Sequence, residues 1–161
     1  VRSRGLGDVY KRQLIYNIGG VSGGSGIDIK DLDFSNETVN DTQKKIVAVA
    51  TNSAKYGISA RSGYCQAWVA DVYQAVTGSR GSAHCALCAA DMWAVSSDWS
   101  KIPVGAAIYG YSSSKYGHVG IYIGNGMVAH NIGYIKIEPI EDWIKTYKGF
   151  AWGWENGYIK E

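Results

Sequence analysis

Proline is scarce in this chain, 2 residues of 161, while glycine is abundant at 21. That imbalance suggests a domain rich in strands and turns with close backbone approaches. Charge of one sign is also lacking. Lys plus Arg number 16 against 14 Asp plus Glu, a net charge of +2, which excludes a protein built mainly to grip nucleic acid or an anionic membrane surface. No stretch approaches the roughly 20 apolar residues that a membrane span needs. Disorder is excluded as the main theme, because 6 Trp and 12 Tyr supply ample surface to bury. Cysteine is limited to Cys65, Cys85 and Cys88, and an odd number cannot all pair within one chain. The length suits one domain.

No secretory signal pattern is visible near the N-terminus, since its charges are not succeeded by an apolar run and a cleavage site. Residues 1–13 show no amphipathic period that fits the rest of the chain and resemble translated adapter sequence, so they are set aside as non-native. The run Gly19-Gly20-Val21-Ser22-Gly23-Gly24-Ser25-Gly26 reads as a flexible linker. Residues 27–39 continue as a polar, acidic lead-in. A domain over 40–161 is expected, with a signal or upstream domain missing ahead of it. No internal repeat is evident.

Within that domain, Asn40 or Asp41 can cap a helix running to about Ala54, striped by Ile46, Val47, Val49 and Ala50. A second helix starts near Ser62 or Gly63, with Val69, Val72, Tyr73 and Val76 on one face. Cys65 falls in its first turn. An Ala-rich helix is next, over about 83–93. After Pro103 the period becomes strand-like: Ala106 to Tyr111, His118 to Ile123, Met127 to Asn131, Tyr134 to Ile137 and, after a short helix opened at Pro139, Phe150 to Trp154. Helices succeeded by an antiparallel β-meander make the fold class α+β.

Cys65 is the first residue with chemical promise. A thiol in the first turn of a helix meets unpaired backbone N–H groups and the positive end of the dipole. With an imidazole nearby its pKa is expected to fall from about 8.5 toward roughly 3.5–7.5. The competing reading is a small buried apolar residue. His118 opens an apolar strand and His130 lies on the next one. A two-residue loop at Asn125-Gly126 sets Ile121 opposite His130 and puts the histidines on opposite faces. A three-residue loop, Gly124-Asn125-Gly126, pairs Gly120 with His130 and brings both onto one face as diagonal neighbours. The sequence permits both registers.

Cys65 at a helix start, Pro103-Val104-Gly105-Ala106-Ala107-Ile108-Tyr109, the block Gly117-His118-Val119-Gly120-Ile121-Tyr122-Ile123-Gly124-Asn125-Gly126 and Val128-Ala129-His130 together resemble the NlpC-type cysteine peptidases. These are papain-like enzymes of bacterial cell-wall metabolism. The resemblance runs over residues 44–155 and implies a papain-like fold of N-terminal helices packed on the antiparallel meander. It further implies Cys65 as nucleophile, His118 as the base that takes and returns its proton, and His130 as the residue that orients His118. The Cys65 backbone N–H would help hold the oxyanion. Tyr56 resembles the family's tyrosine upstream of the cysteine, near the oxyanion and substrate.

The family usually shows Asp-Cys-Ser-Gly at the nucleophile, whereas this chain has Tyr64-Cys65-Gln66-Ala67. Tyr64 and Gln66 then stand where the family reads the free amino end of a stem peptide, and are expected to bind substrate. Gly63-Tyr64-Cys65 with Trp68-Val69 is also similar to the neighbouring cysteine, histidine-dependent amidohydrolase/peptidase (CHAP) family of phage lysins. There the orienting residue is a carboxylate or Asn, which makes Asn131 the alternative to His130.

His84-Cys85-Ala86-Leu87-Cys88 offers three zinc-type ligands but no second pair to complete a site. Paired or half-buried thiols on a helix are the expectation there, and no metal or organic cofactor is required by the thiol mechanism. The function implied is that of a secreted, cell-wall or phage-borne peptidoglycan hydrolase that cleaves stem-peptide amide bonds through a thioester. A monomer is expected, with peptidoglycan and not nucleic acid as its partner. The rival is a non-catalytic cell-wall-binding module on the same fold.

Overall fold

The structure, a computed structural model, describes residues 38–158, so the lead-in over 1–39 lies outside the described residues except at its last two positions. Helix α1 (Asp41–Thr51) begins where Asn40 was expected to cap it. Asn40 Oδ1 accepts the Gln43 backbone N–H and Gln43 Oε1 accepts the Asn40 N–H, both at 2.8 Å. Each bond satisfies an N–H that no helical carbonyl reaches. Gln43 also donates to the Val104 carbonyl at 2.9 Å, tying the helix start to the strand region. A short 3-10 turn, Ser53–Tyr56, ends at Gly57 with φ 73°. Helix α2 (Cys65–Thr77) buries Trp68, Val69, Val72 and Tyr73 and ends at Gly78. These two helices pack on each other and on the strand that His118 opens.

Helix α3 (Ala86–Trp93) is shorter than its Ala-rich run suggested, because Cys85 caps it. The Cys85 sulfur accepts the Cys88 N–H at 3.0 Å, and the same two cysteines form a disulfide. That bond removes both thiolates from any metal-ligand set. Immediately after α3 comes a three-residue strand, β1 (Ala94–Ser96), that the sequence pattern did not signal.

The remaining strands are β2 (Ala107–Gly110), β3 (His118–Gly124), β4 (Met127–Asn131), β5 (Ile135–Pro139) and β6 (Gly149–Gly153). They form one antiparallel sheet in the order β1-β6-β2-β3-β4-β5. Only β2 to β5 form the expected meander. Helix α4 (Ile140–Tyr147) carries the chain back across the sheet, so β6 lands beside β2 instead of extending the β5 edge. Close approach at Gly110 permits this return, since a Cβ there would sit 2.4 Å from the Tyr147 carbonyl oxygen. Ser112 and Tyr111 N–H groups then bond the Tyr147 and Lys148 carbonyls at 2.8 and 3.3 Å.

The β3–β4 hairpin decides between the two registers that the sequence permits. Asn125 and Gly126 both have positive φ, 54° and 72°, as a type I′ turn requires, and the closing pair is Gly124↔Met127. A bulge between Tyr122 and Gly124, with Gly124 at φ 90°, then shifts the ladder by one residue. Beyond it the pairs are Tyr122↔Val128 and Ile121↔Ala129. The next pair along is therefore Gly120 opposite His130. The pairing of the three-residue alternative is reached by a two-residue turn plus a bulge.

Every residue of β3 and β4 is buried. At Gly120 an added Cβ would lie 3.0 Å from both His130 Cβ and Val128 Cγ1 and 3.1 Å from the Ala129 oxygen. Gly120→Ala is therefore expected to overpack the sheet and destabilise the domain by about 1–2 kcal/mol. Urea unfolding should show a lower midpoint with an unchanged slope; an unchanged midpoint would mean that the two strands separate without strain.

Candidate active site

Cys65 is the first residue of α2, and its half-buried sulfur lies against three backbone N–H groups: its own, that of Gln66 and that of Val119. The Val119 contact places the thiol at the beginning of β3, whose first residue is His118. One local and one long-range feature produce this. Tyr64 holds non-helical backbone angles, so the helix begins at the cysteine, and Asn131 Nδ2 ties the preceding loop to β4 through the Arg61 and Tyr64 carbonyls at 2.8 and 3.4 Å.

His118 and His130 share one face of the sheet, and their rings meet. His118 Nε2 and His130 Nδ1 are 2.9 Å apart, within hydrogen-bond range. The other nitrogen of His130, Nε2, is 2.5 Å from Glu138 Oε2. His130 is fully buried and Glu138 nearly so, while Lys136 Nζ approaches the same carboxylate at 3.7 Å. Helix α4 covers this row with aromatic rings. Tyr147 stacks on His118 with centroids 4.2 Å apart, and Trp143 lies 6.0 Å away in a similar orientation. The imidazoles are thus held from the side by α4 and end-on by each other.

The structure brings together some of the expected site residues and not others. His118 and His130 meet on one face of the sheet, and the Cys65 sulfur at the start of α2 reaches the backbone of Val119, the residue after His118. Tyr64 stays beside them, half exposed, with the Arg61 guanidinium 4.1 Å above its ring. Gln66 does not face substrate. It is buried, and its Nε2 donates to Glu155 Oε1 at 2.7 Å, because the second residue of α2 turns toward the core. Tyr56 lines a shallow cavity of about 300 Å³ with Asp71, Gln74 and Ala75, more than a helical turn along α2 from Cys65. Asn131, the alternative partner for His118, is engaged with the Arg61–Tyr64 loop instead. Glu138 and Tyr147 are the additions that sequence reading missed. Glu138 had one available signal, a carboxylate alternating with Ile135 and Ile137 at the end of an apolar strand. Tyr147 had none, since its contact depends on where α4 crosses the sheet.

Among solved structures, the chain is similar to NlpC2 from Trichomonas vaginalis, with a TM-score of 0.55 and 16% identity, over 80% of this chain and 50% of that one. The fold is NlpC-like. At that identity the likeness concerns the fold alone, and the chain spans about half the length of the structure it matches. No family model and no curated protein matches the sequence.

In this NlpC-like domain the electrostatics depart from the sequence expectation. Burial pushes the Cys65 thiol up, against the pull of the Val119, Gln66 and Cys65 N–H groups, and the charge of Glu155 adds to the rise. Burial and the neighbouring His130 bring His118 down to about 3. Burial, together with the Lys136 charge, also lowers His130 despite the upward pull of the Glu138 carboxylate. Burial alone would raise Glu138, but its bond to His130, that ring's charge and Lys136 take it below its ordinary value. At neutral pH the resting site is therefore a neutral thiol, two neutral imidazoles and an ionised carboxylate.

Near Cys65, burial raises Glu155 to about 7, opposed by hydrogen bonds from Tyr109 and Gln66. Its folded value lies above the ordinary 4.5, so its contribution to stability is complete below that value and is lost as pH rises through about 7. Iodoacetamide labelling of Cys65 should accordingly reach half its maximal rate above pH 9, the ordinary thiol value here; a half-point below 7 would show a preformed thiolate–imidazolium pair. Glu155→Gln should gain stability relative to wild type between pH 4.5 and 8, by on the order of 2–3 kcal/mol. Urea unfolding at each pH reads that difference, and a gap constant with pH would show that Glu155 does not titrate in this window.

Proposed function

We propose that this domain is a peptidoglycan hydrolase that cleaves amide bonds in cell-wall stem peptides, with Cys65 as nucleophile and His118 as general base. The observation that carries the reading is the His118–His130 hydrogen bond at the strand end where the Cys65 sulfur rests. A nucleophile at a helix start, a base and a residue orienting that base make up the arrangement that thiol acyl transfer needs. The NlpC-like fold supports the same reading.

Because both partners rest neutral, proton transfer and attack occur together. His118 removes the thiol proton as the sulfur bonds to the amide carbon, and the carbonyl electrons move onto oxygen. Backbone N–H groups of the first turn of α2 face that oxyanion. Collapse of the intermediate breaks the C–N bond, His118 returns its proton to the leaving amine, and a thioester remains on Cys65. A water molecule then gives a proton to His118 and attacks the thioester, which releases the carboxylic acid and restores the thiol. This needs no metal or organic cofactor. Tyr64 and the Arg61 guanidinium over it form the accessible flank of the nucleophile, where a stem peptide lies. The disulfide between Cys85 and Cys88 suits an oxidising location outside the cytoplasm.

Incubation of purified peptidoglycan with the domain, and mass spectrometry of the soluble products, tests the reading. New fragments are expected from wild type and none from Cys65→Ala, while His118→Ala should lose roughly 10²–10⁴-fold in rate. The fragment masses separate a cut within the stem from the amidase or cross-bridge cut of a CHAP-like lysin. Absence of fragments from walls of several cross-link types, with binding retained by both proteins, would make this a binding module.

A further inference from the structure

We propose that Glu138 is a positioning residue that sets the tautomers of both histidines, so that His118 presents an unprotonated Nδ1 as the base nitrogen. The inference rests on the hydrolase reading for its catalytic consequence, but its geometric content stands without it. An ionised carboxylate can only accept hydrogen bonds. The 2.5 Å contact between His130 Nε2 and Glu138 Oε2 therefore carries its proton on the nitrogen. A neutral His130 protonated on Nε2 has a bare Nδ1, and the 2.9 Å contact with His118 must then be donated by His118 Nε2–H. A neutral His118 protonated on Nε2 has only Nδ1 free to take a proton. The carboxylate thus determines, two rings away, which nitrogen can act.

Without the carboxylate the opposite arrangement becomes available. His130 with its proton on Nδ1 would donate to His118 Nε2, and His118 would then hold its proton on Nδ1, the nitrogen that must be empty to accept one. A hydrogen bond to a charged acceptor is strong enough to bias the pair by roughly 10- to 100-fold. The groups facing Glu138 agree with an ionised state. His130 reaches it from β4, Lys136 from β5 at 3.7 Å, and Tyr147 from α4 feels its charge. Beyond them, His118 on β3 is reached only through His130, and Cys65 on α2 lies within electrostatic range of Tyr147. A carboxylate buried to this degree costs stability unless it is paired, and its pairing is with the imidazole that touches the base.

The test is nitrogen-15 NMR of the histidine-labelled protein. The chain has 3 histidines, and His84→Gln assigns the remaining one. Wild type should show both His118 and His130 as single Nε2–H tautomers near neutral pH. The isosteric Glu138→Gln, whose neutral amide can either accept or donate, should show a mixture at both rings. Its kcat on peptidoglycan fragments should fall roughly 10- to 100-fold with KM little changed, the scale on which loss of an orienting partner acts. Glu138→Ala should show the same mixture, and Glu138→Gln carries the test if the alanine variant does not fold. Unchanged tautomers in folded Glu138→Gln, or a wild-type His118 already protonated on Nδ1, would overturn the proposal. Tautomers that shift in a domain whose wild type digests no peptidoglycan would uphold the relay and remove only the hydrolase reading.

Discussion

The bulge in β3 beside Gly124 sets the side-chain row on which the site depends. In a strand the side chains alternate faces, so one extra residue between the turn and the paired region moves a whole strand's worth of groups to the other side. With the bulge, Gly120 faces His130 and the diagonal from His130 leads to His118. Without it His118 and His130 would point to opposite faces. The missing side chain at Gly120 is the second part of the same constraint, because the His130 Cβ and a Val128 methyl occupy the space that a Cβ there would need.

Once the row exists, the remaining strands complete it. The β4–β5 pairs His130↔Lys136 and Val128↔Glu138 place Lys136 and Glu138 on the face that His130 occupies. Helix α4 then covers the rings with Trp143 and Tyr147. Next to Cys65, α2 is anchored through Gln66 to the buried acid Glu155, which is held in turn by Tyr109 of β2 at 2.7 Å. Two carboxyl groups of different character thus lie near Cys65 and the histidine pair. Glu138 is ionised beside an imidazole and a lysine, whereas burial raises Glu155 to about 7, so that it gains and loses its proton near neutrality. The same side-chain type serves two purposes because its surroundings differ.

Burial also explains why the thiol is not a resting thiolate. A helix start favours the anion, but the sulfur sits against the core, and the imidazole that would supply a counter-charge is itself too buried to hold a proton. The local helical environment and the tertiary one pull in opposite directions, and desolvation is the larger effect here. A neutral pair is compatible with acyl transfer, provided that the base nitrogen is empty when the thiol proton leaves.

From the sequence alone, the α+β class, the Asn40 cap and the identity of the meander strands were legible, and Cys65, His118 and His130 could be named as the candidates for chemistry. These depend on local periodicity, on capping and turn chemistry, and on a motif resemblance, all of which are written along the chain. Four features were not legible there. The hairpin register turned on a bulge that the Gly124-Asn125-Gly126 run allows but does not require. Strand β1 is three residues long and exists because β6 supplies its partner. The path of α4 across the sheet depends on close approach at Gly110, and it alone brings Tyr147 to His118. Glu138 and Gln66 exchange the roles their neighbours suggest, one joining the histidines and the other turning into the core, because which face a side chain takes is decided by packing between elements distant in sequence. Local propensity names the elements; only the tertiary contacts choose which of their faces meet.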